Sequence, residues 1–172
     1  MGRLMITIYF DLFFYFLMIL IVICDLKEKI IPDQFTFAII ILAIFKIFIL
    51  NENFEKSFIG MGIYPIFFTF IYGYSDYFLK KDVIGFGDIK LLSGIGFYFG
   101  YLGIYNLIIF YNIIFILAFI YIIPKILLKK IDREQKVPFA PFICFGTFVF
   151  ELMVILWKEK GFYLLKWLLL PV

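Results

Sequence analysis

Apolar residues run almost unbroken over about 4–24, 35–50, 58–78, 91–123 and 138–157, and polar residues are largely confined to the short joints between them. A helix needs about 20 residues, at about 1.5 Å each, to cross about 30 Å of hydrocarbon, so most of these runs read as one spanning helix apiece. The fourth run is too long for a single crossing, because no charged residue falls between Lys90 and Lys125. Two helices turning near Gly100-Tyr101-Leu102-Gly103 fit it better, which predicts about six transmembrane helices. The basic residues support that division. With the amino terminus outside, the inside segments 25–34, 79–90 and 125–136 hold ten of the sixteen Lys and Arg residues, as the positive-inside rule expects. One crossing over 91–123 would put the 80–90 and 125–136 clusters on opposite faces.

Smaller features refine the pattern. Asp11 interrupts the first run and is expected to face other helices rather than lipid. That run is read as a retained span, since Arg3 alone leads it and no small-x-small cleavage site precedes Asp25. The second run is short and carries Lys46 near its outer end. The tail 158–172, with Trp157 beside it and Trp167 within it, reads as an interfacial amphipathic segment. Gly96 and Gly100 have the spacing that lets helix backbones approach closely, and are expected to draw the helix after Asp88 against the one ending at Asp25.

Composition fixes the class. The 172 residues are 65% hydrophobic and 17% charged, against about 45–50% and about 25% for a soluble domain. The expectation is an all-α, polytopic integral membrane protein, with 1–172 forming a single membrane-embedded domain. A net charge of +3 gives no reason to expect nucleic acid as a partner. There is no histidine, and Cys24 and Cys144 lie far apart in apolar surroundings. Zinc sites, imidazole bases and Ser-His triads are thereby excluded, and no metal or cofactor is expected. Any chemistry falls to carboxylates, Lys, Tyr, Ser or the backbone.

Three segments stand out, all on the predicted inside face. Asp25 ends the first apolar run and opens Asp25-Leu26-Lys27-Glu28-Lys29-Ile30-Ile31-Pro32-Asp33, a tight connector with Pro32 suited to the first turn of the next helix. Asp88 closes Gly85-Phe86-Gly87-Asp88-Ile89-Lys90. There Gly85 and Gly87 permit positive φ and close approach, and Asp88 suits a helix N-cap. Lys90 could steer that carboxylate or hold a lipid phosphate. The third is Val137-Pro138-Phe139-Ala140-Pro141-Phe142, where Pro138 and Pro141 stiffen the backbone and free carbonyls that could hold an extended peptide. Carboxylates beside a bilayer are functional candidates by default, and two on one face make a candidate acid–base pair.

In this order and spacing the three segments resemble the type IV prepilin peptidase family, membrane aspartic proteases with a Gly-x-Gly-Asp signature. The family's Asp with a basic-Ile-Pro-Asn/Asp connector is matched by Asp25 with Lys29-Ile30-Ile31-Pro32-Asp33. Its Gly-x-Gly-Asp-x-Lys is matched by Gly85 to Lys90, and its Pro-Phe-Gly/Ala-Pro-Phe segment by Pro138 to Phe142. Ile31 is an extra residue in the connector. The cysteine-rich cytoplasmic region of larger members, associated with N-methylation of the product, has no counterpart, so the resemblance implies the short, peptidase-only form.

The resemblance implies catalytic roles for Asp25 and Asp88, with Gly85, Gly87, Lys90, Pro32, Pro138 and Pro141 supporting them. It implies an endopeptidase that removes the short basic leader of prepilin-like or pseudopilin proteins at the cytoplasmic face of a prokaryotic inner membrane. Glu28, Asp33, Asp76 and Asp82 would then attract the basic leader. Membrane lipid is the other partner; oligomeric state is left open. Two other readings compete. One is a presenilin-type Gly-x-Gly-Asp intramembrane protease, which would carry a Pro-Ala-Leu segment absent here. The other is a small ion-coupled transporter or secretion-assembly subunit using Asp11, Asp25, Asp88 and Glu151 as ion sites.

Overall fold

The computed structural model describes residues 2–79, 84–128 and 137–160. Regular structure is helical and, among the described residues, includes no strand. The helices are α1 (Gly2–Glu28), α2 (Asp33–Leu50), α3 (Phe54–Ile63), α4 (Ile66–Tyr74), α5 (Phe86–Phe99), α6 (Ile104–Leu127) and α7 (Ala140–Lys160). Five stretches are long and apolar enough to cross a membrane: α1, α2, the α3–α4 pair taken as Phe54–Tyr74, α6, and Ala140–Trp157 of α7. The sixth predicted crossing corresponds to α5, whose 14 residues rise about 21 Å. The fold is an all-α polytopic membrane fold.

The predicted break in the long fourth run is present. Gly100 (φ 71°) and Gly103 (φ 99°) take up a backbone conformation that a Cβ disfavours. The Tyr101 N–H donates to the Lys56 carbonyl at 2.8 Å, tying this turn to the start of α3. The third run departs from expectation. Its helix starts at Phe54, ahead of the apolar stretch, because the Asn53 side chain accepts from the N–H groups of Glu55 (2.9 Å) and Lys56 (3.3 Å). It then breaks at Pro65, resumes as α4, and ends in a π-helical turn, Ser75–Leu79.

The chain forms two compact units. The first comprises Met1–Leu102 and Lys136–Pro141. Here α5 is central: Leu91, Leu92 and Ile95 are wholly buried, as are Phe14 and Ile21 of α1 and Ile39 of α2. The small residues of α5 face α3 and α2, not α1 as expected. A Cβ on Gly60 would fall onto the Gly96 carbonyl oxygen and 2.9 Å from the Gly100 carbonyl carbon. A Cβ on Gly96 would sit 2.8 Å from the Gly60 carbonyl carbon, so α3 and α5 meet backbone to backbone. Gly94 rests on Ile39. By contrast α1 meets α5 through rings, with Phe14 and Tyr98 stacked at 4.1 Å.

Away from the cavity described below, this unit holds its polar interior together through Tyr98. The Tyr98 hydroxyl donates to Asp11 Oδ1 at 2.6 Å, which explains the carboxylate inside the first run. Lys46, 8% exposed, lies 4.0 Å from the Tyr98 ring centroid and 3.9 Å from Glu52. A buried ammonium is costly unless paired, and here Tyr98 of α5 and Glu52 supply the pairing.

The second unit comprises Gly103–Gln135 and Phe142–Val172. Within it α6 packs on α7 where Gly146 admits Ile114, and Phe110 and Phe150 meet edge to face at 5.4 Å.

Candidate active site

Asp25 lies in the last turn of α1 and is 5% exposed. The helix stops there because Lys29 adopts a left-handed conformation (φ 55°) while its N–H still bonds the Asp25 carbonyl at 2.9 Å. A non-glycine residue in that region carries a strain of about 1–2 kcal/mol. The turn sends Ile30 and Ile31 across to Pro32, which is the N-cap of α2. This connector, with the segment from Gly85 to Asp88, lines a cavity of about 670 Å³ into which both Asp25 and Asp88 face.

Gly87 serves close approach, and neither Gly85 nor Gly87 takes the positive φ expected of them: Gly85 has φ −73° and, among the described residues, only Gly100 and Gly103 are glycines of positive φ. A Cβ on Gly87 would stand 3.0 Å from the Ile31 Cβ. Ile31, 7% exposed, is the extra residue of the connector, and it fills the space that Gly87 leaves. Sequence reasoning recorded the insertion but not its partner.

Asp88 is not the N-cap. Gly85 holds that place, and Asp88 sits in the first turn of α5, ahead of the apolar stretch that begins at Leu91. Its N–H donates to the Gly85 carbonyl at 3.1 Å, and its carboxylate accepts from the Gly85 N–H. It is 7% exposed. Burial, reinforced by the charge of Asp25 and partly offset by that backbone bond, pushes Asp88 up to about 7.

The proline segment contributes a group that no side-chain pattern signals. Between Pro138 and Pro141, which have no N–H of their own, the Ala140 N–H donates to Asp25 Oδ2 at 3.0 Å in a buried contact. Ala140 is itself wholly buried.

Lys90 pairs with Asp33 rather than Asp88, and its ammonium stands 5.4 Å from the Phe86 ring centroid. Both residues of the pair line the cavity. Asp33 therefore presents a carboxylate already balanced by a cation, while Glu28 is exposed at the end of α1. Asp82 lies outside the described residues. Among the described residues no three Asp, Glu or Cys side chains gather where they could hold a metal ion.

The geometry thus offers two desolvated carboxylates in one cavity, unequal in surroundings and electrostatically coupled. That is an arrangement for sharing one proton between an acid and a base. A model of the type IV leader peptidase family matches residues 12–123. The match takes in Asp25, the connector and the segment from Gly85 to Lys90, and ends before Pro138. No curated protein and no solved structure matches the chain.

Proposed function

Since the chain belongs to the type IV leader peptidase family, and is on that ground a membrane protease, we propose that it is an aspartic endopeptidase acting through Asp25 and Asp88. One observation carries this reading: both carboxylates are buried and line a single cavity large enough for a peptide segment. Like charges so placed do not both ionise readily, so near neutral pH one carboxyl keeps a proton.

Hydrolysis then needs nothing beyond the pair and water. The ionised carboxylate takes a proton from water, and the resulting hydroxide adds to the scissile carbonyl carbon. The protonated carboxyl gives its proton to the carbonyl oxygen, forming a tetrahedral diol. The carboxyl that took the water proton passes it to the amide nitrogen, the C–N bond breaks as a diol hydroxyl returns its proton to the other carboxylate, and a carboxylic acid and an amine leave with the pair restored. The substrate is a prepilin-like or pseudopilin protein, cut between its short basic leader and its apolar helix. The cut falls at the cytoplasmic face, a reading that the basic residues beside the site support through the positive-inside rule.

Asp25→Asn and Asp88→Asn are each expected to lower cleavage of a co-expressed prepilin by about 10²- to 10⁴-fold, with the protein still accumulating in membranes. Processing by either variant at the wild-type rate removes that residue from the mechanism.

A further inference from the structure

Asp25 and Asp88 occupy electrostatically opposite ends of their helices. Asp25 sits in the last turn of α1, where unpaired carbonyls disfavour an anion, and Asp88 sits in the first turn of α5, where N–H groups favour one. On helix position alone Asp88 would be the ionised member. Two features reverse that order. At Asp88 burial and the neighbouring charge of Asp25 together outweigh the bond from Gly85. And among the described residues Asp25, unlike Asp88, receives a donor from a segment distant in sequence: the buried Ala140 N–H at 3.0 Å.

We propose that Ala140 is the positioning residue that assigns the roles within the pair, its backbone N–H holding Asp25 as the ionised base that activates water and leaving Asp88 as the acid that carries the proton. The inference rests on the aspartyl reading given above and deepens it. The other charged groups at Asp25 do not make the same distinction. Asp88 faces it from α5, and Lys29 lines the cavity that both carboxylates share. Asp33 and Lys90, also in that cavity, balance each other.

The chemistry also accounts for the sequence around position 140. Pro138 and Pro141 fix φ on either side of it and offer no N–H of their own, so the Ala140 donor is held at one angle. Phe139 anchors the segment against Phe68 of α4, with ring centroids 5.5 Å apart.

The test removes one hydrogen. The full chain, in lipid nanodiscs, is made with lactic acid in place of Ala140, which turns the 139–140 amide into an ester and deletes the N–H without changing the side chain. Ala140→Pro deletes it by ordinary mutagenesis, and Ala140→Gly keeps it. The readout is the pH profile of prepilin cleavage. Destabilising ionised Asp25 raises the lower apparent pKa of the pair and leaves the upper one in place. The acid limb is therefore expected to move toward neutral by about one pH unit in the ester and in Ala140→Pro, with the alkaline limb fixed and Ala140→Gly like wild type. A shift of the alkaline limb instead places the proton on Asp25 and overturns the proposal. Unmoved limbs show the bond to be structural, and overturn it too.

A second measurement needs no turnover. The infrared carbonyl band of a protonated carboxylic acid, recorded at mildly acid pH, is expected to vanish in Asp88→Asn and persist in Asp25→Asn; the reverse pattern refutes the assignment. Failure here is distinct from failure of the aspartyl reading, which would show as cleavage surviving in both Asn variants.

Discussion

Asp88 couples the chemistry of the site to the stability of the protein. Its carboxyl is raised from the ordinary aspartate value of 3.8 to about 7, first by burial and then by the charge of Asp25. Between those values the folded protein keeps a proton that the unfolded chain has lost. Stability from this group is therefore fullest below 3.8 and is lost as pH rises through about 7. The thermal midpoint should fall between about pH 4 and about pH 7, and that slope should flatten in Asp88→Asn. Cleavage should decline over the same upper range, as the proton that one carboxyl must carry is removed; a rate still rising well above pH 7 would contradict the shared-proton scheme. At this scale both aspartates were legible in the sequence, because a carboxylate at the edge of an apolar run is conspicuous. The donor at Ala140 was not, because a backbone N–H is written into every residue and only the fold selects one. The pairing of Lys90 with Asp33 was hidden likewise, since it joins groups from separate helices.

Among the elements, α5 is held by its glycines. Gly60→Ala and Gly96→Ala each force a methyl group into opposing backbone, where no side-chain rotation gives relief. Each should destabilise the protein by about 1–3 kcal/mol, read as a lower midpoint in thermal unfolding. Gly62, also in α3, meets nothing within 4 Å of an added Cβ, and Gly62→Ala should be neutral or stabilise by up to about 1 kcal/mol. Equal effects at Gly60 and Gly62 would show that α3 and α5 are not in close contact. The number of apolar segments and the turn at 100–103 could be read directly, because glycine pairs and missing charges mark them. The start of α3 could not: it is set by the Asn53 cap, a polar residue outside the apolar run. Nor could the partner of the α5 glycines, since spacing announces a close contact without naming the other helix.

For the molecule as a whole, the ring of Tyr98 joins three helices, and its hydroxyl is the donor to Asp11. Tyr98→Phe keeps the stack on Phe14 yet leaves the Asp11 carboxylate without that donor, at a cost of about 1–3 kcal/mol. Adding Asp11→Leu should recover part of the loss, and failure to recover would show that the hydroxyl acts through some other group. The all-helical membrane class was plain from composition, whereas the partition into two units depends on which helix faces pair, which uniformly apolar runs do not encode. The placement of α2 has a further consequence. It packs against both α1 and α5, so together with the direct contact of those two helices at Phe14 and Tyr98 it bears on how far apart the two aspartates stand. At 18 residues it rises only about 27 Å, less than the hydrocarbon depth of an average bilayer. Acyl-chain length is therefore expected to affect cleavage: lipids that tilt α2 should change the gap between the two aspartates, and turnover measured in bilayers of different thickness should change with it.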